Sequence, residues 1–236
     1  MNVPAPPCIV LAGGLGTRLR SVVADRPKCL APVGQTVFLD IQLRTLHAQG
    51  ITDIVLSLGH QSQQVLDWLA TRAAPAASRR VRTVVEPAPL GTGGAIAFAM
   101  DTLGLDEALV ANGDTFLDGA LDEMLQPLRP ARQEWFRMAL VQVPDRTRFG
   151  GVSLQEDGRI TGFVPKGSAT AGPINAGLYR LQRQALPARS DQPFSIESDV
   201  LPGLVAQGHV HGVPIAGAFT DIGVPQDYAA FCARHG

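Results

Sequence analysis

Short unbroken apolar runs alternate in this chain with stretches where apolar residues recur every three to four positions. Residues 8–12 (CIVLA) form a β-rich run that stops at Gly13-Gly14. Residues 37–49 set Phe38, Ile41, Leu43 and Leu46 in a helical rhythm and end at Gly50, which suits the turn that closes a helix. Residues 54–58 predict a buried strand, and 61–72 an amphipathic helix through Val65, Leu66 and Leu69. A strand at 81–86, a helix at 92–103, a strand at 108–112, a helix at 119–128 and a strand at 136–143 continue the alternation. Strands that are apolar throughout are covered on both faces, so the repeated strand–helix–strand order predicts a mostly parallel sheet between helices.

The second half changes character. Residues 152–154 and 160–164 flank Glu156-Asp157-Gly158, a hairpin signal. Strands at 174–181 and 210–215, a helix at 197–206 capped by Ser195, and a final helix at 225–234 complete the expectation. The polar, proline-containing stretch 73–80 (AAPAASRR) reads as a loop, and no repeat or low-complexity tract marks a boundary. One α/β unit over residues 1–236, with antiparallel pieces added late, is therefore expected.

Composition narrows the class. Hydrophobic residues are 45 % and charged residues 17 % of the 236, which is core-forming material and not that of a disordered chain. A net charge of −1 offers no field for nucleic acid or an anionic membrane. No run reaches the roughly 18 apolar residues of a membrane span, and the first residues lack the charged start and apolar stretch of a signal peptide. Cys8, Cys29 and Cys232 are odd in number, far apart and without a CxxC pair, which predicts a reducing, cytoplasmic setting and no disulfide or zinc scaffold. Of the 20 basic residues only Lys28 and Lys166 are lysine. An ammonium and a guanidinium are not interchangeable, so those two positions attract notice.

In such a sheet, ligands bind beyond the carboxyl ends of the strands. The loop there reads Leu11-Ala12-Gly13-Gly14-Leu15-Gly16-Thr17-Arg18-Leu19, with Pro27-Lys28 following. Glycines let backbone N–H groups come close to phosphates, although a glycine-rich loop alone equally serves a tight turn. A dinucleotide fingerprint would need glycine where Leu19 stands, and a P-loop would need a lysine after glycine, which neither lysine supplies.

The remaining string, G-G-x-G-T-R-L followed by P-K, resembles the signature of nucleotidyltransferases that join a nucleoside triphosphate to a sugar 1-phosphate. The likeness continues through EPAPLGTGGAI (Glu86–Ile96), NGDT (Asn112–Thr115), RFGGV (Arg148–Val152), INAGLY (Ile174–Tyr179), FSIESDVLP (Phe194–Pro202) and DIGVPQDY (Asp221–Tyr228). It is similar above all to guanylyltransferases of D-glycero-D-manno-heptose 1-phosphate. Guanylyltransferases of mannose 1-phosphate and uridylyltransferases of N-acetylmuramate 1-phosphate resemble it as well.

The resemblance implies a Rossmann-like three-layer α/β/α fold with a mixed, mostly parallel sheet. Residues up to about 115 would bind nucleotide and the remainder the sugar phosphate. It implies GTP, a heptose 1-phosphate and Mg2+ as reactants and cofactor, a product destined for surface polysaccharide, and leaves a homodimer open. Catalysis would fall to Arg18 on the departing pyrophosphate and Lys28 on the α-phosphate, where bidentate and point charges oppose developing negative charge. Leu11, Ala12, Gly13, Gly14, Gly16, Thr17, Gly91, Thr92 and Asn112 would meet the nucleotide. Glu86 would accept from guanine, whose adjacent N1–H and 2-amino donors suit one carboxylate. Lys166, Gly150, Asn175 and Glu197 would hold the sugar phosphate, and Asp114 and Asp221 the metal. Pro165 departs from the family, which carries an acid before the second lysine. A glycosyltransferase, which favours an Asp-x-Asp motif where this chain has Asn112-x-Asp114, and a non-catalytic sugar-nucleotide sensor are the alternatives from other classes.

Overall fold

A computed structural model describes residues 5–14, 19, 22–23, 25–71, 80–188 and 192–236. The strands are β1 (Cys8–Leu11), β2 (Pro32–Val33), β3 (Thr36–Val37), β4 (Asp53–Leu58), β5 (Arg80–Val85), β6 (Glu107–Asn112), β7 (Thr115–Gly119), β8 (Phe136–Val143), β9 (Gly151–Leu154), β10 (Ile160–Val164), β11 (Gly172–Gln182), β12 (Val210–Pro214) and β13 (Gly217–Asp221). The helices are α1 (Phe38–Ala48), α2 (Ser62–Ala70), α3 (Gly91–Leu103), α4 (Asp122–Leu125), α5 (Leu201–Ala206) and α6 (Pro225–His235).

Seven strands form the central sheet in the order β12-β8-β11-β6-β1-β4-β5. Pairing is parallel except for β11, which runs antiparallel to both β6 and β8. Alternate residues of each strand serve opposite faces. Cys8 and Val10 join Ile54, Leu56, Leu109 and Ala111 in a core with Leu43 and Leu46 of α1 and Val65 of α2. Ile9, Val55, Ala108 and Val110 instead pack with Ile96 and Met100 of α3 and with Leu201 and Leu204 of α5. Covering both faces is what makes the strands apolar throughout. The mixed, mostly parallel three-layer architecture is the expected one. Among the described residues no helix is long and apolar enough to cross a membrane.

Two expected helices differ, and strands β2, β3, β7 and β13 were not expected. The helix expected at 119–128 is only α4, and Thr115–Gly119 before it is a strand paired antiparallel with β13. That pairing joins segments about a hundred residues apart in sequence, so no local pattern announces it. The helix expected at 197–206 begins as a π turn, Ile196–Val200, before α5. Pro202 has no N–H to give to the preceding turn, which favours the wider winding. Ser195 caps it as expected, its side chain accepting from the N–H groups of Glu197 and Ser198. Most of the expected loop, residues 73–79, lies outside the described residues.

A buried arginine pins α4 beneath the sheet. Arg137 of β8 is wholly buried and donates to both Glu134 carboxylate oxygens at 2.7 Å and to the carbonyls of Glu123, Gln126 and Pro127. Arg180, directly across on β11, binds Glu107 and the Leu125 carbonyl. A helix ending under a sheet needs donors for its last carbonyls, and these guanidinium groups supply them. Arg137→Met is expected to lower the unfolding free energy by about 3–5 kcal/mol in urea denaturation, because it strands a buried carboxylate and three carbonyls. Arg159→Met, which loses an exposed 3.8 Å pair with Asp157, is expected to cost less than about 1 kcal/mol in the same assay.

Candidate active site

The parallel register brings three strand ends to one edge. Leu11 of β1 stands opposite Ser57 of β4 and Asn112 of β6, so the following loops emerge side by side. Ala12 N–H donates to the Ser57 carbonyl at 2.8 Å, and Gly113 N–H to the Leu11 carbonyl at 3.0 Å. Only glycine permits the second contact, since a Cβ at 113 would fall on that carbonyl. Leu19, where a dinucleotide site would need glycine, is buried with Phe38, Ile222 and Phe231 and anchors the loop to the core.

Two adjoining cavities open at this edge. One, of about 360 Å³, is lined by Leu11, Ala12, Gly14, Lys28, Cys29, Thr92, Asn112, Gly113, Asp114 and Glu197. The other, of about 440 Å³, shares Leu11, Gly14 and Thr92 and adds Gly13, Ser57, Gly59, His60, Glu86, Gly91 and the Pro87–Pro89 segment.

Lys28 follows Pro27 in a short 3-10 turn whose Cys29 and Leu30 are buried. Its ammonium donates to Asp114 Oδ2 at 2.6 Å, and only 12 % of its side chain is exposed. Asp221 reaches the same place through the β7–β13 ribbon, where it pairs with Thr115. Ile222 N–H donates to the Asp114 carbonyl at 2.9 Å, and Gly223 N–H to Asp221 Oδ1 at 2.7 Å. A Cβ at Gly223 would lie 2.5 Å from Asp221 Oδ1 and 2.7 Å from Lys28 Nζ. Lys28 thus meets Asp114 on one side and shares the space beside Gly223 with Asp221. Asp114 and Asp221 offer two hard oxygen donors, the set a hard divalent cation takes when phosphate and water complete its shell. Among the described residues no cluster of three or more His, Cys, Asp or Glu forms a metal cage.

Glu86 directly follows β5, beside the larger of the two cavities. Its Oε2 accepts from Leu90 N–H at 3.2 Å, and its Oε1 lies over Gly59, where any Cβ would collide with it. Burial pushes its pKa up from 4.5, and the Leu90 hydrogen bond partly opposes this. Across the site, Thr92 Oγ1 donates to Glu197 at 2.8 Å and accepts from Ile196 N–H at 3.0 Å. The Phe194 carbonyl accepts from Gly93 and Gly94 in the first turn of α3, and the Phe194 ring occupies the space a Cβ at Gly93 would fill. The LGTGG and FSIESD segments are therefore one packed unit.

Other expected residues stand apart. Asn175 spends its amide on the Tyr179 hydroxyl (2.7 Å) and on Gly177 N–H (2.9 Å), where the β11–β8 register shifts, and it does not line either cavity. Gly150, at φ +75°, backs onto the Val164 carbonyl next to Lys166; Lys166 is exposed and also outside both linings. Gly16, Thr17 and Arg18 lie outside the described residues. Sequence reasoning missed Gly59 and His60, although a loop after a parallel strand was a place to look. It also missed the steric role of Gly223, visible only as a glycine two residues after Asp221.

The sheet is that of an α/β protein, with a glycine-bounded site of one ammonium and two carboxylates beyond its strand ends. The chain belongs to the nucleotidyl transferase family, whose model matches residues 8–234. It is 33 % identical over 221 residues to a D-glycero-alpha-D-manno-heptose 1-phosphate guanylyltransferase of Aneurinibacillus thermoaerophilus, covering 93 % of this chain and 94 % of that one. It is 32 % identical to a mannose-1-phosphate guanylyltransferase of Mycobacterium tuberculosis, over 93 % of this chain and 62 % of that one. The crystal structure of HddC from Yersinia pseudotuberculosis superposes with a TM-score of 0.86 at 31 % identity, covering 98 % of this chain and all of that one. A further structure of that Yersinia protein is complexed with GMP-PN.

Gly223→Ala is expected to leave the melting temperature within a few degrees, because the added methyl meets only the movable ends of two side chains. Nucleotidyl transfer is expected to fall by about 100-fold, the effect of an ångström-scale displacement of positioned groups. Thermal unfolding and turnover on the same preparation check both halves.

Proposed function

We propose that this protein transfers the guanylyl group of GTP to D-glycero-α-D-manno-heptose 1-phosphate, forming GDP-heptose and releasing pyrophosphate. The supporting observation is the pair of adjoining cavities, one bordered by the Glu86 carboxylate and the other by Lys28 and Asp114, with Asp221 beside Gly223 next to Lys28. The heptose-phosphate guanylyltransferase from Aneurinibacillus and the GMP-PN complex of the Yersinia protein support the choice of base and sugar. A mannose 1-phosphate acceptor is the second reading, supported by the mycobacterial relative.

In this reading the sugar phosphate oxygen attacks the α-phosphorus of GTP, and the bond to the β-phosphate oxygen breaks in line. Both reactants are anionic, so the protein lowers the barrier by alignment and by opposing charge. Lys28 exchanges the Asp114 carboxylate for the α-phosphate. Arg18 takes the departing pyrophosphate through its guanidinium fork, and Lys166 takes the incoming sugar phosphate. Asp114 and Asp221 hold Mg2+, which when bound neutralises phosphate charge. Glu86 accepts the two adjacent guanine donors, and Glu197 with Thr92 borders the sugar. Nucleotide is bound by residues up to about 115 and the sugar phosphate largely by those beyond, all within one domain.

Pyrophosphate release with Mg2+ is expected from GTP and heptose 1-phosphate, and not from ATP, CTP or UTP. Preference for mannose 1-phosphate would establish the second reading, and silence in every combination from folded protein would favour the sensor. Lys28→Met is expected to remain folded and to lose about 100- to 1000-fold in turnover, the loss typical for one charge-stabilising donor. Glu86→Gln is expected to raise KM for GTP by about 10- to 100-fold, as hydrogen bonds to a charged acceptor are lost. Glu86 must be ionised to accept both donors, and its pKa lies above 4.5. KM for GTP should therefore rise as pH falls through that raised value, a dependence the Gln variant should lack.

A further inference from the structure

Gln42 is a polar side chain on the buried face of α1, among Phe38, Leu39, Leu43 and Leu46, and it is 4 % exposed. Its Nε2 donates to the Asn112 carbonyl at 2.8 Å and to the Thr115 carbonyl at 2.9 Å. Those carbonyls flank Gly113-Asp114, so a single amide nitrogen ties both ends of the turn that carries Asp114. The amide cannot be reversed, since its oxygen would then face two carbonyl oxygens. The Gln42 Oε1 has no hydrogen-bond partner among the described residues. A buried unpartnered oxygen is unfavourable, and a residue present for packing alone would not carry one. Within the same turn, Gly113 N–H is held by Leu11, and the Asp114 carbonyl by Ile222 N–H. Those two fastenings come from the turn's own sheet and ribbon and Lys28 holds the Asp114 carboxylate, whereas Gln42 reaches the turn's backbone carbonyls from α1.

We infer that Gln42 is a positioning residue for nucleotidyl transfer, acting by locking the Asn112–Thr115 turn so that the Asp114 carboxylate stays fixed opposite Lys28. The inference rests on the reading of Asp114 as a ligand of the divalent cation, and the test separates the two.

Gln42→Met keeps the volume and removes both donors; Leu46→Ala, a core truncation one turn along the same helix, is the stability control. Mn2+ binding to the protein is followed by electron paramagnetic resonance of the free ion, alongside turnover and thermal unfolding. Gln42→Met is expected to weaken Mn2+ binding by about tenfold, as loss of an outer-shell partner does, and to lower kcat more than it raises KM for GTP. Leu46→Ala is expected to lose at least as much thermal stability with unchanged Mn2+ affinity. In an Asp114→Asn background Gln42→Met should add little further loss of turnover, because its effect passes through Asp114. Full additivity, or a Gln42→Met protein indistinguishable from Leu46→Ala in Mn2+ binding and turnover, overturns the inference. Gln42→Leu, which likewise removes both N–H groups without burying a charge, replaces Gln42→Met if the latter does not fold. Unchanged Mn2+ affinity in Asp114→Asn overturns the cation reading alone, and the turnover cycle then decides the role of Gln42.

Discussion

The ion pair between Lys28 and Asp114 joins two loops 86 residues apart, and the geometry of the site hangs on it. At 2.6 Å in a partly buried cleft, it holds the chain leaving β1 against the chain leaving β6. That contact exists only because β1 and β6 are parallel neighbours in register, with Leu11 opposite Asn112. A slip of one residue would turn the alternating side chains of β1 onto the wrong faces and carry Lys28 away from its partner. The two apolar cores therefore fix the polar site indirectly, by enforcing register.

Glycine does the complementary work of clearance. Gly113 allows the β6 loop to touch the Leu11 carbonyl, Gly223 leaves room for Lys28 and Asp221 together, and Gly59 lets the Glu86 carboxylate lie across its backbone. Each is a place where polar groups must approach more closely than a Cβ permits. Small residues therefore bound the site, and its charge comes from residues farther along the chain. The same logic ties the Phe194 segment to α3: the carbonyl that caps the first turn and the ring that fills the glycine gap belong to one loop.

Much of the fold was legible. β1, β4, β6, β8 and β11 fall on the expected apolar runs, and α1 ends before Gly50 as expected, with Gly50 at positive φ. The β7–β13 ribbon was not legible, because its strands are short and meet across about a hundred residues. At the site, Lys28, Glu86, Thr92 and Asp114 could be picked out because their residue types and motif spacing match a known chemistry, and the fold places them at one edge. Asn175 could be picked out as well, yet its amide is engaged with Tyr179 and Gly177 at the register shift of β11. Gln42 left only a faint mark, a polar residue in an apolar helical face, which on its own says nothing about what it binds.

The sequence by itself determined the class of fold and the inventory of reactive groups. Hydrophobic periodicity is a local property, and the motifs are contiguous strings. Only the tertiary structure decided that the chain after Asp221 bonds the Asp114 backbone, that Gly223 gives Asp221 and Lys28 room together, and that Gln42 fastens the turn carrying Asp114. Those are relations among segments far apart in the chain. They are set by strand order and by close packing, and neither is written in any one stretch of residues.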